Sequence, residues 1–342
     1  MLSPTRLMVA DAGSGMFLDR VRKSPATAGF EMSFPEADTP EALGAAIAGA
    51  EAVYCYMSRL SREVLRSAKR LKFIQKHGLT CKNIDLAAAA DLGIPVATLP
   101  LMRNASVAEQ ALLLMLACAR KLIPGHRAVI EAAYTKMGIE PFQTSQWNFN
   151  GNWAQIPGMA ELFGATAGII GMGDIGMEIA KRCRAFDMKV LYCQRTRHTP
   201  EAEYRLGMRY APVEELLAAS DFVVLAVPHT PETEGIIGAA QLARMKPTAI
   251  LVNVGRGALI DEDALAQALK EGKLGMAGLD VYCWEPLPES SPLRTLPNVV
   301  LTPHLGAGSN RYWDVDIPAA LENIRRFFRG EAPTGLVRAG QA

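Results

Sequence analysis

Three short motifs late in the sequence carry side chains that could bind an anion and transfer a proton. Arg256 stands in NVGRGALIDEDAL, Glu285 in AGLDVYCWEPLP and His304 in NVVLTPHLGAG. Each motif follows or ends an apolar run typical of a strand, and ligands bind where the carboxyl ends of parallel strands meet. We therefore expect the three side chains to converge, although each alone would more often be a surface arginine, a solvated acid or a structural histidine.

A glycine-rich turn earlier in the sequence could hold the phosphates of a dinucleotide. The segment GMGDIG, residues 171–176, fits the pattern G-x-G-x-x-G between an apolar strand and a helix. In that pattern the first glycine permits a tight turn, the second lets a pyrophosphate approach the backbone, and the third lets the helix pack on the strand. Because the helix N-terminus also offers free amides, we predict cofactor binding, rather than a plain flexible turn, at Gly171, Gly173, Asp174, Ile175 and Gly176.

The strand after this turn ends without the acid that such units usually carry. That acid accepts hydrogen bonds from ribose hydroxyls and repels a 2′-phosphate, whereas this sequence has Gln194, Arg195, Thr196 and Arg197 there. Gln194 is uncharged, and the two arginines could hold a phosphate through bidentate hydrogen bonds. The pattern favours NADP over NAD; the alternative is that both arginines point into water.

Strand and helix patterns alternate along both halves of the chain. In residues 1–100, apolar strands alternate with helical segments that start near Thr39, Ser61 and Asn83, which predicts a parallel sheet covered by helices. From residue 166 onward, six strands separated by helices match a Rossmann-type doubly wound sheet. The sequence therefore predicts an α/β protein.

Two segments lie between these halves. Residues 104–122 predict a buried helix that begins with a capping box of Ser106 and Glu109. Residues 131–160 contain Gly, Pro, Asn and two Trp residues and predict a long connection with little secondary structure.

Composition limits the possible functions. A length of 342 residues favours two domains. A total of 36 Lys and Arg against 35 Asp and Glu gives no electrostatic surface for nucleic acid or an anionic membrane. No apolar run is long enough to span a bilayer, and no signal peptide opens the sequence. The six cysteines are scattered without metal-ligand spacing, so we expect buried thiols in a reducing cytoplasm and no bound metal.

Taken together, these segments resemble the D-isomer-specific 2-hydroxyacid dehydrogenases. The phrases NVGRGALIDEDAL, GLDVYCWEPLP and LPNVVLTPHLGAG carry the resemblance, and GLTCKNIDLAAAADLGIPVA and NASVAEQALLLMLACAR are similar to the family's substrate-domain segments. The resemblance implies two domains with a cleft between them. A flavodoxin-like substrate domain would comprise residues 1–103 and 305–342, and a Rossmann-type cofactor domain would comprise residues 104–304.

The resemblance also implies a role for each of the three side chains in hydride transfer between a nicotinamide cofactor and a substrate. Arg256 would bind the substrate carboxylate and keto oxygen. His304 would donate a proton to that oxygen as hydride arrives and would accept it in the reverse direction. Glu285 would hydrogen-bond the other ring nitrogen of His304, fix its tautomer and favour the imidazolium form.

Further contacts follow from the resemblance alone. Asp280 would lie near the nicotinamide carboxamide, and the other cofactor contacts would be Val227, Pro228, Thr233, Asn253, Val254, Gly255 and Gly306. The substrate carboxylate would also meet backbone amides in the loop formed by His77, Gly78 and Leu79.

This loop departs from the family pattern. Gly-Leu-Thr replaces a common G-x-G turn at residues 78–80, and Lys82 replaces a common acid. His77 adds a titratable group, which is either a pocket residue or a solvated loop histidine. These departures concern the identity of the substrate and not the type of reaction.

The leading functional hypothesis is an NADPH-dependent reductase of a small 2-keto acid such as glyoxylate or hydroxypyruvate. The family implies a homodimer that forms through the helix at residues 106–122. One alternative is an NAD-linked phosphoglycerate-type dehydrogenase, which the lack of an added regulatory domain in these 342 residues disfavours. Another is a dinucleotide-sensing, corepressor-like binding protein without turnover, which would be expected to carry an added peptide-binding segment or a long disordered tail.

Overall fold

The backbone divides into two compact units. We describe residues 4–13, 15–308 and 311–337 of a computed structural model. The first unit comprises Met1–Arg103 with Ser309–Ala342, and the second comprises Asn104–Gly308. Residues 1–3, 14, 309–310 and 338–342, which the predicted substrate domain includes, lie outside the described residues.

The first unit is built on a parallel sheet of five strands in the order β2-β1-β3-β4-β5, which is the flavodoxin-like order. Its strands are β1 (Thr5–Val9), β2 (Phe30–Ser33), β3 (Ala52–Cys55), β4 (Phe73–Lys76) and β5 (Val96–Ala97). The sequence did not indicate β2, because this short edge strand is half exposed and lacks a continuous apolar run.

The second unit is built on a parallel sheet of seven strands in the order β12-β11-β10-β9-β6-β7-β8. Its strands are β6 (Thr166–Ile170), β7 (Lys189–Cys193), β8 (Met208–Tyr210), β9 (Phe222–Leu225), β10 (Ile250–Asn253), β11 (Met276–Leu279) and β12 (Val299–Leu301). This is the doubly wound order 3-2-1-4-5-6 with one more strand at the far edge. The predicted α/β fold is thus confirmed; the three-residue edge strand β8 was too short to predict.

Helices cover both sheets. They are α1 (Gly15–Lys23), α2 (Pro40–Ile47), α3 (Arg62–Ser67), α4 (Leu86–Asp91), α5 (Met102–Ala119), α6 (Leu122–Ile130), α7 (Asp174–Ala185), α8 (Pro200–Leu206), α9 (Val213–Ala219), α10 (Ala239–Leu242), α11 (Glu262–Lys270) and α12 (Arg311–Phe328). Thr39 and Ser61 cap their helices as predicted. The start predicted near Asn83 was wrong by two residues, because Asp85 accepts the helix amide while the Asn83 amide donates to Ser58 O at 2.8 Å.

The predicted capping box of the long helix α5 was wrong. The helix begins at Met102, so Ser106 and Glu109 lie inside it. The Met102 N–H instead donates to both carboxylate oxygens of Asp316 on α12, at 3.1 and 3.2 Å. Local sequence could not indicate this cap because the acid comes from the other end of the chain.

A candidate active site at the carboxyl edge of the second sheet

The histidine and the glutamate predicted to act together are hydrogen-bonded. Nδ1 of His304 lies 2.7 Å from Oε2 of Glu285, and Oε1 of Glu285 accepts the Tyr282 N–H at 3.1 Å. Burial raises the pKa of Glu285, but the bonds from His304 and Tyr282 outweigh it and leave that pKa below its usual value. An ionised Glu285 therefore fixes the imidazole orientation and leaves Nε2 as the ring nitrogen available for proton transfer.

Arg256 lies in the loop after β10, close enough that its charge also lowers the pKa of Glu285. The Asn253 side chain holds this loop at both ends, because Nδ2 donates to Arg256 O at 2.9 Å and Oδ1 accepts the Gly255 N–H at 3.0 Å. Asn253 was predicted as a cofactor contact, and its side chain shapes the arginine loop. The exposed Arg256 side chain is available to an anion.

Asp280 holds the loop that carries His304. Its buried carboxylate accepts hydrogen bonds from the Thr302 hydroxyl at 2.6 Å and from the Leu305 and Gly306 N–H groups at 2.8 Å, while its backbone carbonyl accepts the His304 N–H at 2.8 Å. These bonds hold residues 304–306 in the second unit. That unit extends to Gly308, four residues beyond the predicted boundary at 304.

Two partners of Asp280 were missed by sequence reasoning. Gln110 on α5 donates to its carboxylate at 3.2 Å and to the Thr302 hydroxyl at 2.8 Å. Nothing in the spacing of Gln110 pointed to this contact, whereas Thr302, two residues before His304, stood inside a quoted motif. Gln110 and Thr302 therefore position the histidine loop indirectly, through Asp280.

The three glycines of the predicted phosphate turn differ in what surrounds them. Gly171 has φ +98°, and a Cβ atom there would lie 2.7 Å from the Ala226 carbonyl; a Cβ atom on Gly176 would lie 2.1 Å from Gly171 O. Gly173 has open space around it and precedes α7 as an N-cap residue without a side chain. An open backbone at an uncapped helix start fits a bound pyrophosphate. Asp174, whose pKa burial raises, and Ile175 form the first turn of α7.

The other predicted cofactor residues border this turn. A Cβ atom on Gly171 would lie 2.6 Å from the Val227 side chain, and one on Gly255 would lie 3.0 Å from Val227 O. The Thr233 hydroxyl donates to Pro228 O at 2.8 Å and closes the turn after β9. Val254 is buried and directly follows β10. Gly306 lies at the end of the loop that carries His304, where its N–H donates to Asp280. The ends of β6, β9 and β10 thus bring most of the predicted cofactor set together.

At the end of β7, the two arginines have different surroundings. Both side chains are exposed, but Arg197 forms an ion pair with Glu203, at 2.7 Å from Nε to Oε1, whereas Arg195 has no carboxylate of the described residues within ion-pair distance. The Gln194 side-chain amide donates to Thr196 O at 2.5 Å, so it closes the loop on itself.

In the first unit, His77 is fully buried, so the alternative of a solvated loop histidine was wrong. Its Nδ1 lies 2.7 Å from the Tyr54 hydroxyl, and its ring stacks on Trp313 of α12 with centroids 5.7 Å apart. The sequence could not show that α12 returns to cover this ring. Gly78 follows with φ +107°, and Leu79 is exposed. Of the predicted substrate loop, the side chain of His77 thus lies in the protein interior.

Within residues 4–13, 15–308 and 311–337, no group of three or more His, Cys, Asp or Glu side chains is placed to hold a metal ion. Over the same residues, no helix has the length and apolar character needed to cross a membrane.

Comparison with known proteins gives consistent matches. Residues 112–306 match the family model of the NAD-binding domain of D-isomer-specific 2-hydroxyacid dehydrogenases. Glyoxylate reductase of Pyrococcus furiosus is 41% identical over 279 residues, which cover 82% of this chain and 79% of that protein. Glyoxylate/hydroxypyruvate reductase B of Pectobacterium carotovorum is 37% identical over 89% of each chain. The crystal structure of a glyoxylate reductase from Paecilomyes thermophila is similar with a TM-score of 0.63 and 29% identity, covering 98% of this chain and 99% of that one.

Proposed function

Because the chain belongs to the D-isomer-specific 2-hydroxyacid dehydrogenases, we propose that it reduces a small 2-keto acid such as glyoxylate or hydroxypyruvate with NADPH. Membership makes it an oxidoreductase with a nicotinamide-cofactor domain. The hydrogen bond between His304 and Glu285, close to Arg256, is the observation that carries the proposal. The glyoxylate reductases among its relatives favour a small 2-keto acid over 3-phosphoglycerate.

In this proposal each side chain has one task. The guanidinium of Arg256 binds the substrate carboxylate and keto oxygen through its planar fork of donors. His304 donates the Nε2 proton to the keto oxygen, and Glu285 stabilises the imidazolium needed for that transfer. The bound nicotinamide cofactor supplies the hydride. General acid catalysis of this kind contributes roughly 10²- to 10⁴-fold to the rate.

The preference for NADPH rests on the end of β7, where no acid repels a 2′-phosphate and Arg195 is exposed. A cytoplasmic location is supported by the six cysteines, all of which are free thiols.

A homodimer is also part of the proposal, although the contact predicted on the helix at 106–122 needs revision. Most apolar side chains of α5 are buried within the second unit, where Leu114 and Cys118 pack against Gly278 of β11. Exposed apolar side chains instead follow on α6 and the irregular connection; they include Leu122, Val129, Ile130, Trp147, Phe149 and Phe163. An apolar surface of this kind is typical of a protein contact, and we assign it to a second copy of this chain.

The experiment is a panel of 2-keto acids, including glyoxylate, hydroxypyruvate and pyruvate, each incubated with NADPH or NADH while the nicotinamide absorbance is followed. We expect turnover of a small 2-keto acid with NADPH, and a His304→Gln variant that still binds NADPH but turns over roughly 10²- to 10⁴-fold more slowly. No turnover across the panel with either cofactor would instead support a dinucleotide-sensing protein.

A further inference from the structure

A half-buried arginine of the first unit has a phenol, and no acid, as its partner. Arg103 stands in the first turn of α5, and its Nη1 donates to the hydroxyl of Tyr56. Its guanidinium carbon lies 5.0 Å from the centroid of the Tyr56 ring. Among the residues that the structure describes, no carboxylate lies within ion-pair distance of this guanidinium. Because a cation that is partly removed from water is costly without an anion beside it, an anionic ligand would be stabilised here.

An acid near this arginine serves another group. Both carboxylate oxygens of Asp316 on α12 accept the Met102 N–H, at 3.1 and 3.2 Å. Burial raises the pKa of Asp316 above its usual value, and the bond from Met102 and the charge of Arg103 offset this only in part. Asp316 therefore caps α5 and does not neutralise the guanidinium at contact distance.

The tyrosine that contacts Arg103 is fixed on both sides of its own backbone. The Tyr56 N–H donates to the carboxylate of Asp11 at 2.6 Å, and the Tyr56 carbonyl accepts from Nζ of Lys76 at 2.5 Å. Asp11 is fully buried and also accepts the next two N–H groups of the same loop. Its φ of +83° is a strained conformation that persists only where the surrounding bonds hold it. The loop after β3 is therefore a firm support for the guanidinium.

The same lysine holds the loop predicted to meet the substrate carboxylate. Lys76 is 5% exposed, and its Nζ donates to His77 O at 2.7 Å. A Cβ atom on Gly78 would lie 3.9 Å from this Nζ, and the Leu79 N–H that follows donates to no described residue. The rings of His77 and Tyr56 are in edge contact, with centroids 5.1 Å apart. A guanidinium, an ammonium and a free amide thus lie around the ends of β3 and β4, where they favour a negative charge.

We propose that Arg103 is a specificity-determining residue that binds a second acidic group of the substrate, so that the preferred 2-keto acid is a dicarboxylic one. This inference rests on the proposed reduction of a small 2-keto acid and narrows its substrate class. The loop at residues 77–79 would meet the carboxylate next to the keto group, and Arg103 would bind the second one. A guanidinium can donate two parallel hydrogen bonds to a carboxylate, whereas a monocarboxylic acid such as glyoxylate leaves Arg103 without an anion.

The test compares monocarboxylic and dicarboxylic 2-keto acids in wild type and in Arg103→Met, which removes the charge and keeps most of the side-chain length. Steady-state kinetics with NADPH are measured for glyoxylate, pyruvate, ketomalonate and oxaloacetate. We expect the wild type to have its highest kcat/KM with a dicarboxylic acid. We expect Arg103→Met to lower that kcat/KM roughly 10- to 100-fold more than the value for glyoxylate, the range for a lost charged hydrogen bond. The loss should appear mainly in KM, since this contact is made equally in the ground state and the transition state.

Controls separate a lost contact from general damage. Arg62→Met removes an exposed arginine of the same unit, which pairs with Asp91 at 3.0 Å, and should leave the kinetics with all four acids unchanged. Arg103→Lys keeps the charge without the fork and should recover part of the loss. Thermal melts confirm that each variant is folded, and Arg103→Gln, which can still bond Tyr56, replaces Arg103→Met if that variant does not fold.

A dicarboxylate that cannot react separates failure of this inference from failure of the proposed function. Succinate, titrated by calorimetry, should bind the wild type at least about 10-fold more tightly than Arg103→Met. Equal losses for monocarboxylic and dicarboxylic acids in Arg103→Met would overturn the role of Arg103 and leave the proposed function intact. If the wild type turns over no 2-keto acid, the proposed function fails, and succinate decides the inference: weaker binding in Arg103→Met supports Arg103 as a dicarboxylate contact, and equal binding overturns it.

Discussion

A Cβ atom on Gly257 would lie 1.8 Å from the carbonyl carbon of Tyr282. The loop that carries Arg256 is therefore packed directly against the backbone of the loop that carries Glu285. This contact joins two parts of the candidate site that are far apart in sequence, and no residue other than glycine fits it.

Gly257→Ala should consequently disturb the position of Arg256 relative to Glu285. We expect kcat/KM for the 2-keto acid to fall by roughly 10²-fold, the loss typical of a displacement of about 1 Å at a catalytic site. Steady-state kinetics measure this. Gly49→Ala, where a Cβ atom would meet nothing within 4 Å, is the matched control. Wild-type kinetics in Gly257→Ala would contradict the proposed part of this loop in catalysis.

Gly173→Ala should leave the fold intact and weaken the cofactor. Space around Gly173 is open in the protein itself, so a methyl group there would meet only the incoming pyrophosphate. We expect a roughly 10-fold or larger increase in the NADPH dissociation constant, since one misplaced methyl group changes binding by about 1–3 kcal/mol, with an unchanged melting temperature.

Gly176→Ala, unlike Gly173→Ala, should destabilise the fold. Its new Cβ atom would lie 2.1 Å from Gly171 O, so overpacking should lower the stability by about 1–3 kcal/mol. Equal NADPH affinity in wild type and Gly173→Ala would show that the pyrophosphate does not approach this backbone.

Local sequence patterns were sufficient for part of this architecture. Buried strands and a glycine-rich turn are encoded over a few residues, so six of the seven strands of the second unit and the segment at 171–176 could be predicted. Arg256, Glu285 and His304 could be predicted as a set because each follows a recognisable strand.

Contacts between distant segments could not be predicted. Asp316 replaces Ser106 as the cap of α5, and Trp313 covers His77, because α12 returns from the end of the chain. Gln110 on α5 supports Asp280, which comes 170 residues later in the chain. The Arg197–Glu203 pair spans six residues, but the strand end alone did not show which arginine would be paired.

Ile130→Asp should convert a dimer to a monomer. Ile130 is 65% exposed on α6 among other exposed apolar side chains, and a buried unpaired carboxylate would oppose association at such a contact. Light scattering coupled to size-exclusion chromatography measures the mass. Leu92→Asp in the first unit, at a residue 46% exposed, controls for a new surface charge. A dimer that survives Ile130→Asp, or a monomeric wild type, would contradict the assignment of this surface.

His77 should make the folded protein less stable as the pH falls. Burial, and then the charges of Arg103 and Lys76, lower its pKa from 6.5 to about 3. Between these values the unfolded chain binds a proton that the folded chain excludes, so the stability is complete above pH 6.5 and declines at up to about 1.4 kcal/mol per pH unit below it. Urea unfolding of wild type and His77→Phe from pH 7.5 to 4.5 should show a shallower dependence in the variant, which keeps an aromatic ring against Trp313. His126→Gln on exposed α6 controls for loss of a surface imidazole. Equal slopes in wild type and His77→Phe would mean that this ring is not held neutral by its surroundings.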